Sequence, residues 1–401
     1  MIGASAIHGG HEFVHIKCPF CFTTLDTAAA FACSNCPPVA DPEASRYRGG
    51  PVVQPPVTTV SGGTDASGNR PTTATCPTCR TAARTPACPT CHALLPPGWM
   101  STRTTCIALA GSTYTGKSIY IAVVVKQLAQ LAIRLGGVLR AVTADTQNNY
   151  RDLYERDLFV ERGLYGSTAP QIPGDLGYKY NTPLIYELKS SHGTPHIIVL
   201  RDVAGESLAD PELDPFLFGF LRRADGIVYL IDPVQITRVR NQLRGFLPFG
   251  EQDYRDPLPV LGNVLRLFAA DPERPADRVR MALTLSKFDA LQSLREIEES
   301  SLYDAMRNHG AAYLRDPSYE STFDRADSDL LNLEINSLLV ELDIVELQNL
   351  ARASFRDWRW FAVSALGHQP GTRLGPTGIT PFRCLDPVKW ILAENGAIAT
   401  E

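Results

Sequence analysis

Two sets of residues in this 401-residue chain are of types and spacings that do chemistry. The first is eight cysteines in four C-x-x-C pairs: Cys18 and Cys21, Cys33 and Cys36, Cys76 and Cys79, Cys88 and Cys91. A C-x-x-C forms a tight knuckle whose two thiolates face one ion, and two knuckles complete a tetrahedral Cys₄ site, so eight cysteines predict two structural Zn²⁺ ions. The second set is Gly111, Ser112, Thr113, Tyr114, Thr115, Gly116, Lys117 and Ser118, in the pattern G-x-x-x-x-G-K-S. Backbone N–H groups of such a loop, and of the helix it opens, point at phosphates. Lys117 would reach the β and γ oxygens, and the Ser118 hydroxyl would ligate Mg²⁺.

Positioning that loop requires a strand before it and a helix after it. Cys106 to Ala110 is a short apolar run suited to a buried strand, and Ser118 to about Leu135 reads as a helix. Val138 to Val142 reads as a short extra strand, and Asn148 to Gly163 has helical spacing. Pro183 to Lys189, His196 to Leu200, Ala224 to Asp232, Met281 to Leu285 and Trp360 to Val363 read as further strands. Apolar strands alternating with helices give an α/β fold, a P-loop NTPase with a mostly parallel sheet flanked by helices. Ligands bind such sheets beyond the carboxyl ends of the strands. Asp202 ends one of these strands, where a water-mediated Mg²⁺ ligand belongs. Gly205, three residues on, can present its N–H to a γ-phosphate because no side chain blocks the approach.

Residues 1–98 form a cysteine- and proline-rich region, with 99–401 as a second, larger domain. Pairing of consecutive knuckles is the preferred zinc assignment, with an interleaved one left open. The Cys21–Cys33 spacer carries enough apolar residues for a small hairpin. The Pro-, Gly-, Thr- and Ser-rich stretch at about 37–75 reads as a disordered linker, unable to bury a core. Lys17, Arg46, Arg48, Arg70, Arg80 and Arg84 are nearly matched by acidic residues in this region, and the whole chain carries a formal charge of −5, which disfavours nucleic acid as a partner. No apolar run approaches the length of a bilayer span, and the N-terminus lacks a secretory pattern, so the expected location is cytoplasmic.

Taken in order, Gly111–Ser118, Asp202–Gly205, Ser286–Asp289 and Ser364–Leu366 resemble the G1, G3, G4 and G5 motifs of Ras-like GTPases of the translation-factor-related class. The resemblance covers roughly Thr104 to Gly367. It implies that Asp289 hydrogen-bonds the guanine N1 and N2 donors, that Lys287 lays its stem over the base, and that the Ala365 N–H reads the guanine O6. A carboxylate accepting two donors that adenine lacks rejects ATP. The resemblance also asks for a threonine before the strand that pairs with the Asp202 strand, and Thr182 stands there, as a ligand of Mg²⁺ and a reporter of the γ-phosphate. The expected cofactors are GTP or GDP, Mg²⁺ and two Zn²⁺.

Two departures qualify that pattern. Ser286 replaces the Asn or Thr that begins G4, and a serine can still make a short contact to the P-loop. Glu206 follows the D-x-x-G where many GTPases carry a water-orienting glutamine. A glutamate cannot donate to the γ-phosphate, so hydrolysis is expected to be slow or to need a partner. Arg201, Arg222 and Arg223 read as surface charges rather than arginine fingers. Residues 235–280 and 290–355 form insertions, and the dense leucines from Leu330 to Leu350 point to core packing in preference to a partner-covered helix. The knuckles followed by this GTPase pattern resemble, more loosely, bacterial double-GTPase families, which implies protein partners and a second GTPase among them. The reading is a guanine-nucleotide switch that hydrolyses GTP, with a hydrolysis-deficient GTP-sensing scaffold, in the conflict or defence systems to which those families are linked, as the alternative.

Overall fold

The computed structural model describes residues 16–25, 28–61, 71–160, 182–191, 193–242, 244, 256–269, 279–296, 298, 300, 302–367 and 378–401. The N-terminal region contributes β1 (Ala28–Ala32), β2 (Val39–Ala40), β3 (Val53–Gln54), β4 (Val57–Ser61), β5 (Ala74–Thr75), β6 (Ala82–Ala83) and β7 (Thr85–Ala87). The larger part contributes β8 (Arg103–Gly111), β9 (Val138–Ala141), β10 (Leu184–Lys189), β11 (His196–Asp202), β12 (Gly226–Ile231), β13 (Arg280–Leu285) and β14 (Trp358–Ala362). These last seven form one sheet in the order β14-β13-β12-β8-β11-β10-β9.

The sheet follows from the strand sequences. Every residue of β12 is buried, as are five of six in β13, so these strands read as unbroken apolar runs covered on both faces. β8 lies in the middle, parallel to β11 on one side and to β12 on the other. The chain therefore reverses its strand order at β8, and the crevice at the carboxyl end of that strand is where open α/β sheets bind ligands. Register brings Asp202 opposite Leu109 and Leu230 opposite Gly111, so the loops after three central strands meet at that end. β10 runs antiparallel between β11 and β9. The loop after β8 leads into α2 (Lys117–Arg134). Helical structure then follows at Ala144–Tyr150 and continues as a π-helix over Arg151–Val160.

One buried polar pair sits at the start of β11. His196 Nε2 and Thr105 Oγ1 are 2.7 Å apart, and burial lowers the His196 pKa to about 4. The folded pKa lies below the unfolded value, so this contribution is full above about pH 6.5 and is lost as the pH falls toward 4. The shift corresponds to about 3 kcal/mol. His196→Gln should flatten that part of the stability profile, checked by urea titrations of both proteins between pH 7 and pH 4.5.

The N-terminal region departs from the expected organisation in three ways. First, residues 39–61 are built structure and not a linker; 62–70 lie outside the described residues. β1 lies between β4 and β7, antiparallel to both, so it makes no hairpin within its own spacer. Second, Asp41 caps the helix α1 (Pro42–Arg48), accepting from Ala44 N at 2.9 Å. Gln54 Nε2 joins Asp41 Oδ2 at 2.8 Å to the His92 carbonyl at 2.9 Å, which ties this stretch to the last knuckle. Third, the apolar core does not divide near Gly98. Cys18, Cys21, Phe22, Leu25, Cys88 and Cys91 belong to the same buried cluster as the sheet, whereas Phe31, Cys33, Cys36, Ala74, Cys76 and Ala83 form a small separate one.

Of the insertions, 243, 245–255 and 270–278 lie outside the described residues, and Pro257–Ala269 is a helix. The leucine-rich part folds as helices Arg325–Glu341 and Val345–Ser354. Leu331, Ile335, Leu338, Leu339, Leu342 and Leu347 enter the core, while Leu330 and Leu333 stay exposed.

Candidate functional site

The loop from Gly111 to Ser118 has a backbone that only glycine adopts readily at two positions. Gly111 has φ +145°, and a Cβ there would lie 2.4 Å from the Leu230 carbonyl oxygen. Gly116 has φ +85° and stands at the N-terminus of α2. Between them Thr115 Oγ1 donates to the Ser112 carbonyl at 2.9 Å, and Tyr114 is left-handed and exposed. Lys117 folds back over the loop and donates to the carbonyls of Gly111 at 2.9 Å and Ser112 at 3.0 Å. Burial lowers its pKa, against the carboxylates of Asp202 and Glu206. Ser118 follows in the first turn of α2, half-buried.

Asp202 closes the site from β11. Its Oδ2 lies 3.4 Å from the Tyr154 hydroxyl, while Oδ1 is buried without a hydrogen-bond partner. Burial raises its pKa to about 6, with Lys117 acting in the opposite direction. A buried carboxylate oxygen left unpartnered at the carboxyl end of the sheet is a donor of the kind hard cations take. Gly205 packs directly on the loop: a Cβ there would stand 2.6 Å from Thr113 N and 2.9 Å from the Gly111 carbonyl. Glu206, beside it, is exposed.

The loops after β13 and β14 meet in the same region. Lys287, at φ +50°, pairs through Nζ with Asp232 Oδ2 at 2.8 Å, and its stem passes Gly116, with Cε 4.0 Å from where a Cβ would stand. Asp289 Oδ1 accepts from Ser364 Oγ at 2.5 Å, and Ser364 Oγ in turn accepts from Gly367 N at 2.9 Å. Burial raises the Asp289 pKa, and the Ser364 hydrogen bond opposes it. Ala365 and Leu366 follow, with the Leu366 carbonyl accepting from Thr380 N at 3.0 Å. The Ser286 hydroxyl is buried without a hydrogen-bond partner, so the expected contact to the loop is not made.

Two placements differ from expectation. Thr182 lines a cavity with Phe20, Cys21, Tyr47, Arg48, Cys91 and Arg201, at the cysteine region. The residues before it, 161–181, lie outside the described residues. Arg201 is no surface charge: it is 7% exposed, donates to the Phe20 carbonyl and lies over the Phe220 ring at 3.6 Å. One residue was missed altogether. Gln235 Nε2 donates to the Thr113 carbonyl at 2.7 Å and its Oε1 accepts from Ser112 Oγ at 2.6 Å, which fixes the loop from the next strand. The one local signal is Asp232-Pro233, where Asp232 Oδ1 accepts from Val234 N at 3.0 Å and starts the turn that carries Gln235.

The cysteines form two clusters in a nested pairing, first knuckle with last and second with third, which is neither the consecutive assignment nor the interleaved one. Cys18, Cys21, Cys88 and Cys91 make a core site; Cys33, Cys36, Cys76 and Cys79 make a distal one. Antiparallel pairing of β1 with β7 returns the chain to its start, so the first knuckle meets the last. In three knuckles a left-handed residue closes the turn: Phe22, Arg80 and His92 donate to the carbonyls of Cys18, Cys76 and Cys88, each at 3.0 Å. Cross-knuckle sulfur separations are 3.6, 3.6, 3.4 and 3.7 Å. A tetrahedral ion with Zn–S near 2.3 Å sets sulfurs about 3.8 Å apart, so both clusters fit Zn²⁺. A disulfide would need about 2.05 Å.

No protein-family model matches this chain. SaeC of Mycolicibacterium smegmatis, to which a role in ESX-1 scaffolding and assembly is ascribed, is 39% identical over 391 residues, covering 95% of this chain and all of SaeC. The chain belongs to the SaeC family. Among solved structures, the Ski7 GTPase-like domain of S. cerevisiae bound to GTP is similar at 10% identity and a TM-score of 0.29, over 73% of this chain and 50% of that one. The same domain with GDP and inorganic phosphate gives 11% and 0.29 over the same shares. The SaeC-family chain thus spans half the length of those structures, a likeness too weak to assign a ligand. Among the described residues, no helix is long and apolar enough to cross a membrane.

Proposed function

We propose that this chain is a guanine-nucleotide-binding protein whose nucleotide state governs assembly with protein partners. The observation that carries the reading is the unpartnered Asp202 Oδ1 at the phosphate-loop end of the sheet, close enough for Lys117 and Asp202 to shift one another's pKa. In this reading the loop from Gly111 to Ser118 and Lys117 hold the phosphates, and Ser118 and Asp202 hold Mg²⁺. Asp289, its carboxylate held by Ser364, accepts from the guanine. Mg²⁺ would neutralise phosphate charge. Thr182, which lines the cavity at the cysteine region, is given no part in holding Mg²⁺ in this reading.

The test is equilibrium binding of fluorescent GTP, GDP and ATP analogues with Mg²⁺. Guanine-selective binding is the expected result; equal binding of ATP, or none, overturns the reading. Gln235→Ala, which removes both side-chain contacts to Ser112 and Thr113, should weaken GTP binding about tenfold in the same titration.

A second reading, a GTP-sensing scaffold that scarcely hydrolyses, is favoured by Glu206 in the position of the water-orienting residue. The role ascribed to SaeC in scaffolding and assembly agrees with it. Single-turnover hydrolysis separates the two: slow intrinsic turnover that rises in Glu206→Gln supports the switch, and none in either protein supports the scaffold.

A further inference from the structure

We propose that the core Cys₄ unit is the part of the molecule that holds the Asp202–Gly205 turn, so that metal loading and nucleotide binding are coupled. This rests on the guanine-nucleotide reading above and adds a positioning residue to it, Arg201.

Contacts from the Cys18–Cys21 knuckle, from α1 and from Lys17 carry the proposal. Arg201 immediately precedes Asp202; its guanidinium donates to the carbonyl of Phe20, inside the Cys18–Cys21 knuckle, and lies 3.6 Å from the centre of the Phe220 ring. Phe22, directly after that knuckle, meets the same ring edge-on at 5.4 Å. The chain following the Gly205 turn is gripped farther along: Arg46 lies 3.4 Å over Phe216, Tyr47 meets Phe216 at 5.7 Å, and Leu217 packs against Gly49. Lys17 anchors the base of the arrangement, pairing with Asp225 at 2.5 Å and donating to the Arg223 carbonyl at 2.8 Å. Thr182, at the start of the neighbouring strand, lines the cavity between Cys21, Cys91 and Arg201. The segments on either side of Asp202 and Gly205 therefore end on the cysteine region, while Gly205 itself rests on the phosphate loop.

A turn held this way has two arrangements only if the knuckle, Arg201 and Phe220 shift together. Any ligand that favours one arrangement then changes the affinity of the other ligand by the same factor. Zinc in the core site favours the observed packing, because it fixes Phe20 and Phe22 on either side of Cys21.

Zinc-loaded, full-length protein tests this. Arg201→Met keeps the apolar stem and removes the guanidinium. It should retain both zinc ions, raise amide exchange over residues 203–210 about tenfold without nucleotide, and weaken GTP-analogue binding about tenfold. Ile335→Val, a mild core truncation far from the turn, should leave all three readouts unchanged. In wild type, a saturating non-hydrolysable GTP analogue should slow capture by a chelator of one of the two zinc ions and not the other. If Arg201→Met loses zinc, Phe220→Leu carries the same expectation. Unchanged exchange over 203–210 with zinc retained overturns the proposal, as does equal slowing of both zinc ions or of neither. If wild type binds no guanine nucleotide, the functional reading falls, and the exchange measurement alone still decides the mechanical link.

Discussion

Replacing Cys18 by serine is expected to lower the melting temperature of the whole chain by roughly 10–15 °C, whereas Cys76→Ser leaves the main transition within about 3 °C. The asymmetry comes from where each cluster sits. Cys18 is fully buried and shares one continuous core with the sheet, so weakening its site leaves thiolates without an ion inside that core. Removing one partner from a buried charged set costs about 4 kcal/mol. The distal cysteines belong to a small separate cluster, so losing that site frees only local packing. Calorimetry paired with zinc content by atomic absorption checks both variants: each should lose one ion, and only the first should shift the main transition by more than a few degrees. Equal melting temperatures in the two would show that the core site is an appendage to the sheet.

Lys117→Ala should weaken binding of GTP and GDP by about 100-fold or more, because two charge-assisted contacts to phosphate are worth about 3 kcal/mol together. The fold should survive, since the Lys117 ammonium donates to carbonyls of its own loop, at 2.9 and 3.0 Å, and ties no distant element among the described residues. Asp289→Ala should act differently. It removes the acceptor for the base and leaves the phosphate contacts, so GTP affinity drops about 100-fold toward that for ATP, which itself changes little. Titrations of both variants with guanine and adenine analogues give four affinities, and the pattern matters more than any one of them. If Asp289→Ala weakened ATP as much as GTP, the residue would be supporting the loop and not reading the base.

The central strands themselves, though not their order in the sheet, were legible because β8, β11, β12 and β13 are near-continuous apolar runs, each ending in a short polar motif. What escaped were contacts between residues distant in sequence. Gln235 reaches the phosphate loop across 122 residues, and Arg201 reaches Phe20 across 181, with no periodicity to announce either. Four equivalent C-x-x-C pairs likewise carry no information on which pair meets which; the antiparallel placing of β1 beside β7 decides that. The stretch 37–61 was misread for another reason. Its prolines and glycines suggest a linker, yet Val57-Thr58-Thr59-Val60 is a β-branched run, the composition that strands favour, and it pairs residue for residue with β1. Thr182 was assigned from its position before a strand alone, and position could not say which way that end of the strand faces.

The nested pairing also dictates a timetable for the nascent chain. The distal site is complete once Cys79 has left the ribosome, but the core site must wait for Cys91. Joining Cys36 to Cys76 closes a gap of 40 residues, against 67 from Cys21 to Cys88. Closing the shorter gap first draws the two remaining knuckles together and spares the second closure roughly 1 kcal/mol of chain entropy. An ion in the distal site would thus act chiefly as a basting stitch, adding little to the finished molecule's endurance while shortening the search by which the first and last knuckles find one another.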